Sequence, residues 1–162
     1  MTTTTATSTD FSAAESTRTA AQQAFRDHLK YLSAGQIDQW VELFTEDGVL
    51  EFPYAPAGFP ESVKGKTELH EYMKNFPEHF EVEFTDLRFH ETTDPALVIA
   101  EFASRGTALA TGRPYNQRYI SLVETRDGRI SRYVDYWNPQ VAAESLRGAE
   151  VDGVFSSIRD LA

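Results

Sequence analysis

The stretch Arg113 to Pro139, RPYNQRYISLVETRDGRISRYVDYWNP, decides the fold. Apolar and polar residues alternate on either side of Asp127-Gly128, a pair suited to the positive φ angles of a primed turn. The pattern predicts two antiparallel strands, about 115–124 and about 129–137, closed by that turn. Side chains alternate along a strand. In the second strand Ser131, Tyr133, Asp135 and Trp137 should therefore share one face, and Ile130, Arg132, Val134 and Tyr136 the other. Asp135 then stands between two aromatic rings, where a carboxylate loses water, its pKa rises, and it becomes a candidate proton shuttle. The competing reading is an Asp exposed at the rim or satisfied by backbone donors.

Working outward, residues 1–16 are rich in Thr, Ser and Ala and read as a mobile tail. Phe25, His28, Leu29 and Leu32 have the spacing of one apolar helix face over about 17–34. Gly35 is a plausible helix end, and Ile37 to Phe44 starts a second helix with Ile37, Trp40, Val41 and Phe44 inward. Asp47-Gly48 ends it, and Val49–Phe52 makes a short strand. Three prolines between Pro53 and Pro60 exclude regular structure. A third helix is expected at about 65–76, with Leu69, Tyr72, Met73 and Phe76 inward. Strands follow at about 80–90 and about 96–109, ahead of the hairpin. Residues 139–162 read as an amphipathic helix through Val141 and Leu146.

Three helices followed by a mostly antiparallel curved sheet is an α+β layout, with the helices on one face and a cavity between the layers. The domain plan is a tail at 1–16, one domain at 17–146 and an extension at 147–162.

The 162 residues are 41% hydrophobic and 12% aromatic, enough for a single core, and the net charge is −10. That balance argues against nucleic-acid backbones and anionic membrane surfaces as partners. With no Cys there is no disulfide, thiolate metal site or thiol nucleophile, and four scattered His give no metal-ligand spacing. No metal or cofactor is expected. No long apolar run or basic-then-apolar leader occurs, so a soluble, cytoplasmic protein is expected.

Several pieces carry a resemblance. The run GQIDQWVELFTEDGVLEFP, a Pro-rich loop, the helix GKTELHEY and the hairpin ending GRISRYVDYWNP resemble the SnoaL-like branch of the nuclear-transport-factor-2-like superfamily. That is the cone fold of polyketide cyclases, ketosteroid isomerases and limonene epoxide hydrolase. The resemblance covers about Ala20 to Leu146. FPEHFEV is similar to the phenazine-biosynthesis A/B proteins, and ATGRPYN with GRISRYVDY is similar to limonene epoxide hydrolase. The fold hosts unrelated reactions and non-enzymes alike.

Residue by residue, the resemblance puts Asp135 where the epoxide hydrolase has a catalytic aspartate and phenazine A/B proteins a glutamate. Counting back from Gly35, His28 falls where ketosteroid isomerase has its oxyanion-donating tyrosine; the plain alternative is a satisfied core histidine. Tyr72 falls where phenazine A/B proteins carry a pocket serine, one turn beyond Glu68, and that i, i+4 pair shares a face. The departures matter too. The isomerase base position is Phe52, inside Glu51-Phe52-Pro53. The epoxide hydrolase arginine and second aspartate are matched by Phe102 and Ser104, and its water-binding tyrosine and asparagine by Leu50 and Phe52. A single carboxylate in an aromatic pocket can still act as general acid or base.

The resemblance implies a small enzyme isomerising, cyclising or dehydrating a hydrophobic, carbonyl- or epoxide-bearing intermediate. Asp135 would be the shuttle and His28 the oxyanion donor, with Tyr72 or Tyr54 assisting. Phe52, Phe102, Tyr133 and Trp137 would form the walls, and Glu68 and Ser104 would contact substrate. It also implies a homodimer through the outer sheet face. Glu101 and Arg105 share the strand face opposite Phe102 and Ser104, which suits ion-pair roles at that interface, and Arg118 and Asn116 could reach either the partner or the pocket mouth. His70 reads as solvated. The competing reading is a non-catalytic binding or dimerization module of the same fold.

Overall fold

A computed structural model describes residues 8–149 and Phe155. The chain runs α1 (Ser8–Ser33), α2 (Ile37–Val41), β1 (Phe44–Glu51), β2 (Ser62–Lys64), α3 (Lys66–Met73), α4 (Phe76–His79), β3 (Phe80–His90), β4 (Leu97–Ala108), β5 (Gln117–Arg126), β6 (Arg129–Trp137) and α5 (Pro139–Leu146). One six-stranded sheet has the order β2-β1-β6-β5-β4-β3. Every neighbouring pair is antiparallel except β1 with β6. This is the expected α+β architecture, with one strand more than the sequence pattern shows.

Helix α1 lies across the sheet because its apolar stripe needs a partner surface. Ala21, Ala24, Phe25, His28, Leu29 and Leu32 are its buried residues. Phe25 is fully buried, and its ring meets those of Phe89 on β3, Phe102 on β4 and Tyr133 on β6. Burying one such ring contributes on the order of 2–3 kcal/mol. The hairpin turn is as expected: Asp127 and Gly128 both take positive φ, 52° and 75°.

Four boundaries differ from expectation. Helix α1 begins at Ser8, so residues 8–16 of the expected tail are helical; residues 1–7 lie outside the described residues. That segment holds no Pro or Gly, and the Arg18 guanidinium ties the helix to Thr92 at 3.1 Å. The second helix stops at Val41, and Phe44 belongs to β1, where the Leu43 carbonyl accepts from the Ile130 amide. Pairing with β6 thus overrides the helical spacing. Asp47-Gly48 is an irregularity within β1 and not a helix end. Pro77 sits at the start of the short helix α4, where its missing N–H costs nothing, so it opens a turn instead of closing α3.

A further difference, within a strand, is a bulge in β6. Thr125 pairs with Ile130, but Glu124 pairs with Arg132, so Ser131 is an extra residue. Ile130 and Tyr133 therefore both point to the core, against the simple alternation that placed them on opposite faces. Of the expected extension, 147–149 and Phe155 are described; the remainder lies outside the described residues.

Candidate active site

The layers enclose a cavity of about 60 Å³ between α1, α3 and the concave sheet face. On the same measure one water needs about 10–15 Å³, so the space holds several waters or a small molecule. His28, Phe52, Tyr72, Phe102, Tyr133, Asp135 and Trp137 all line it, as the sequence suggests. Phe155 closes one side, its ring against Phe59, Phe76 and Phe80.

Asp135 is half-buried, and the loss of water raises its pKa from 3.8 to about 7. The bulged register sets Ser121 directly opposite it, and the Ser121 hydroxyl donates to Oδ1 at 3.2 Å, which opposes that rise. The same Ser121 oxygen lies 2.9 Å from the Tyr133 hydroxyl, and that hydroxyl lies 3.2 Å from Nε2 of His28. Nδ1 of His28 is 2.7 Å from the indole Nε1 of Trp40.

These contacts have only one consistent direction. An indole N–H can only donate, so Nδ1 of His28 accepts. Burial lowers the imidazole pKa to about 3, so the ring is neutral and its single proton sits on Nε2. Nε2–H donates to Tyr133, Tyr133 donates to Ser121, and Ser121 donates to Asp135. The carboxylate ends a polarised chain of donors that begins at Trp40. Burial pushes its pKa up and the chain holds it down.

Both His28 nitrogens are occupied. The structure therefore corrects the expected role: His28 is a satisfied core histidine bordering the cavity, acting through Tyr133, and not a free oxyanion donor. The Tyr72 hydroxyl is the available donor. Burial raises its pKa well above the usual value and the Asp135 charge raises it further, while no hydrogen bond engages it among the described residues.

Sequence reading missed two tyrosines. Tyr115 is buried, lines the cavity and has its pKa pushed up to about 12 by burial. Tyr119 lies face to face with Phe102, ring centroids 4.5 Å apart, and is also raised by burial. Both feel the Asp135 charge. Ser104 is buried and hydrogen-bonded to the Tyr119 hydroxyl at 3.2 Å, so it supports the wall from behind.

Other expected contacts are elsewhere. Tyr54 is exposed, with its ring against Tyr136 on the outer sheet face; Pro53 carries the chain outward before it can reach the cavity. Glu68 is exposed and accepts from the Lys64 amide at the start of α3, so sharing a turn with Tyr72 does not bring it inward. Glu101 does lie on the outer face, where its carboxylate contacts His90 at 2.7 Å. Arg118 borders outer-face grooves beside Glu101. His70 is half-buried and contacts Asp38 at 2.9 Å, so it is not simply solvated. Among the described residues no cluster of His, Asp or Glu could hold a metal ion, and no helix is long and apolar enough to cross a membrane.

The profile of the SnoaL-like domain matches residues 25–133, from the centre of α1 through Tyr133. The chain belongs to the SnoaL-like family. This SnoaL-like domain is 44% identical to the PhzA/B-like protein PA3332 of Pseudomonas aeruginosa over 130 residues, 80% of this chain and 92% of that one. A crystal structure of a Bacillus subtilis protein provisionally named an isomerase is similar at 41% identity and TM-score 0.78, covering 82% of this chain and 96% of that one. The phenazine biosynthesis-related protein of Pseudomonas aeruginosa shares the fold at 22% identity and TM-score 0.71, over 88% and 94% of the two chains. The family match begins within α1 and reaches into all six strands, ending at Tyr133 within β6.

Proposed function

We propose that this SnoaL-like protein is a general acid–base enzyme that isomerises or cyclises a small apolar carbonyl compound, with Asp135 moving the proton. One observation carries the reading: the one carboxyl among the described lining residues is poised near neutrality at about 7, in an aromatic cavity, held by a directed chain of hydrogen bonds. A general base works best when its pKa lies near the operating pH.

In the ionised form Asp135 removes a proton from the carbon next to the carbonyl. The C–H electron pair forms a new C=C bond and the carbonyl π pair moves to oxygen. Tyr72 donates to that oxygen as charge develops there. Where a C=C lies next to the enolised carbon, its π pair shifts with the charge and the resulting carboxylic acid returns the proton to the far alkene carbon, which completes an isomerisation. Where the enolate carbon instead attacks a second carbonyl of the substrate and breaks its π bond, the ring closes and the proton goes to the alkoxide oxygen so formed. Phe52, Phe102 and Trp137 exclude water, which keeps the carboxyl pKa high and the enolate from premature quenching. Relatives named for isomerase and phenazine biosynthesis, and polyketide cyclases among the structural neighbours, support this class of chemistry.

The test is deuterium exchange at the carbons beside the carbonyl of small cyclic ketones in D2O, followed by proton NMR. Wild-type protein is expected to accelerate exchange and Asp135→Asn to abolish it while remaining folded. Equal exchange in both proteins, or none above buffer in wild type, would overturn the assignment and leave a binding module.

A further inference from the structure

The cavity has an uneven charge inventory. Among the described residues its ionisable lining consists of Asp135, His28 and four tyrosines, Tyr72, Tyr115, Tyr119 and Tyr133, and no described Lys or Arg borders it. Arg132 is tied outside to Glu51 at 2.9 Å and Glu124 at 3.0 Å, and Arg118 borders outer-face grooves. His28 cannot supply a positive charge either, because both its nitrogens are committed inside a buried chain. The remaining walls are flat and apolar: Phe52, Phe102 and Trp137.

We infer that the site selects uncharged, flat carbonyl compounds and rejects carboxylates and other anions of the same shape. The inference rests on the cavity being the working site, as proposed above, and adds the charge class of its substrate. An anion entering here would lose its water and find a like charge on Asp135, with no cation among the described lining residues to offset either cost. The tyrosines already register that environment: burial and the Asp135 charge both disfavour a second negative charge at each of them. A neutral carbonyl meets no such obstacle, since its oxygen can accept from Tyr72 while its ring lies against the aromatic walls.

Acetophenone, benzamide and benzoate have nearly the same shape and differ in charge and polarity, so they separate the two. Each is titrated into the full chain at pH 8 and at pH 5.5, with the Trp137 indole N–H followed by NMR. At pH 8 acetophenone and benzamide are expected to bind, with benzoate at least tenfold weaker. The gap should shrink severalfold at pH 5.5, where Asp135 takes up a proton, and in Asp135→Asn at pH 8. Benzoate binding as tightly as acetophenone at pH 8 overturns the charge selection and leaves the catalytic reading standing. Selective neutral binding without deuterium exchange keeps the selection and sinks the catalytic reading. No binding by any of the three overturns both.

Discussion

The indole N–H of Trp40 donates to Nδ1 of His28 across 2.7 Å, and this fixes which nitrogen of the imidazole carries the proton. Everything downstream, through Tyr133 and Ser121 to Asp135, takes its direction from that bond. Nitrogen-15 NMR should find His28 as the neutral Nε2–H tautomer. With a pKa lowered to about 3, the ring should stay neutral at pH 5. Because the folded pKa is depressed, the stability that His28 contributes is complete above about 6.5 and declines as pH falls toward 3. Trp40→Phe should release the tautomer; an Nδ1–H ring in the wild type would contradict the chain.

Asp135 has the opposite sign. Its folded pKa is raised, so the stability associated with it is complete below 3.8 and falls as pH rises through about 7. The gap between these values corresponds to a penalty on the order of 4 kcal/mol at pH 8. Asparagine is nearly isosteric and still accepts from Ser121. Asp135→Asn should therefore raise Tm at pH 8 by roughly 5–10 °C, with the gain vanishing near pH 4. A variant less stable than wild type at pH 8 would show that the carboxylate is not strained by its surroundings.

Two tyrosine-to-phenylalanine changes separate the chain from the free donor. Tyr133→Phe strands the Nε2–H of His28 in the core and should cost about 1–3 kcal/mol in urea unfolding. Tyr72→Phe breaks no hydrogen bond to a described residue and should change stability by less than about 0.5 kcal/mol, yet weaken acetophenone binding several-fold. Equal effects of the two on stability would dissolve the distinction.

The wall that carries Phe102 depends on Gly106. A Cβ there would stand 2.1 Å from the Glu81 carbonyl oxygen and 2.9 Å from Cγ1 of Val82 on β3. Gly106→Ala should cost roughly 2–3 kcal/mol by thermal unfolding, through separation of β3 from β4. An alanine variant as stable as wild type would mean that β3 and β4 do not approach so closely.

Much of this was legible in the residue order. Asp127-Gly128 announces the hairpin, and helical spacing places His28 beside Phe25, with Asp135 between two inward rings. Tyr119 and Ser121 were hidden by the bulge at Ser131. Counting back from the turn without it sets Ile120 opposite Asp135, whereas the true register sets Ser121 there and turns Tyr115, Tyr119 and Ser121 toward the cavity. An extra residue in one strand exchanges the two faces of everything beyond it, and nothing in the run GRISRYV marks its position. Tyr54 and Glu68 failed for another reason. The direction of a loop after Pro53, and the side of α3 that meets the sheet, are settled by packing between distant segments.

The most direct test of the central claim is carbon-13 NMR of the Asp135 side-chain carboxyl from pH 3 to pH 9. A titration midpoint near 7 is predicted. A midpoint near 4 would mean that the carboxylate is solvated, and neither the proton shuttle nor the exclusion of anions could stand.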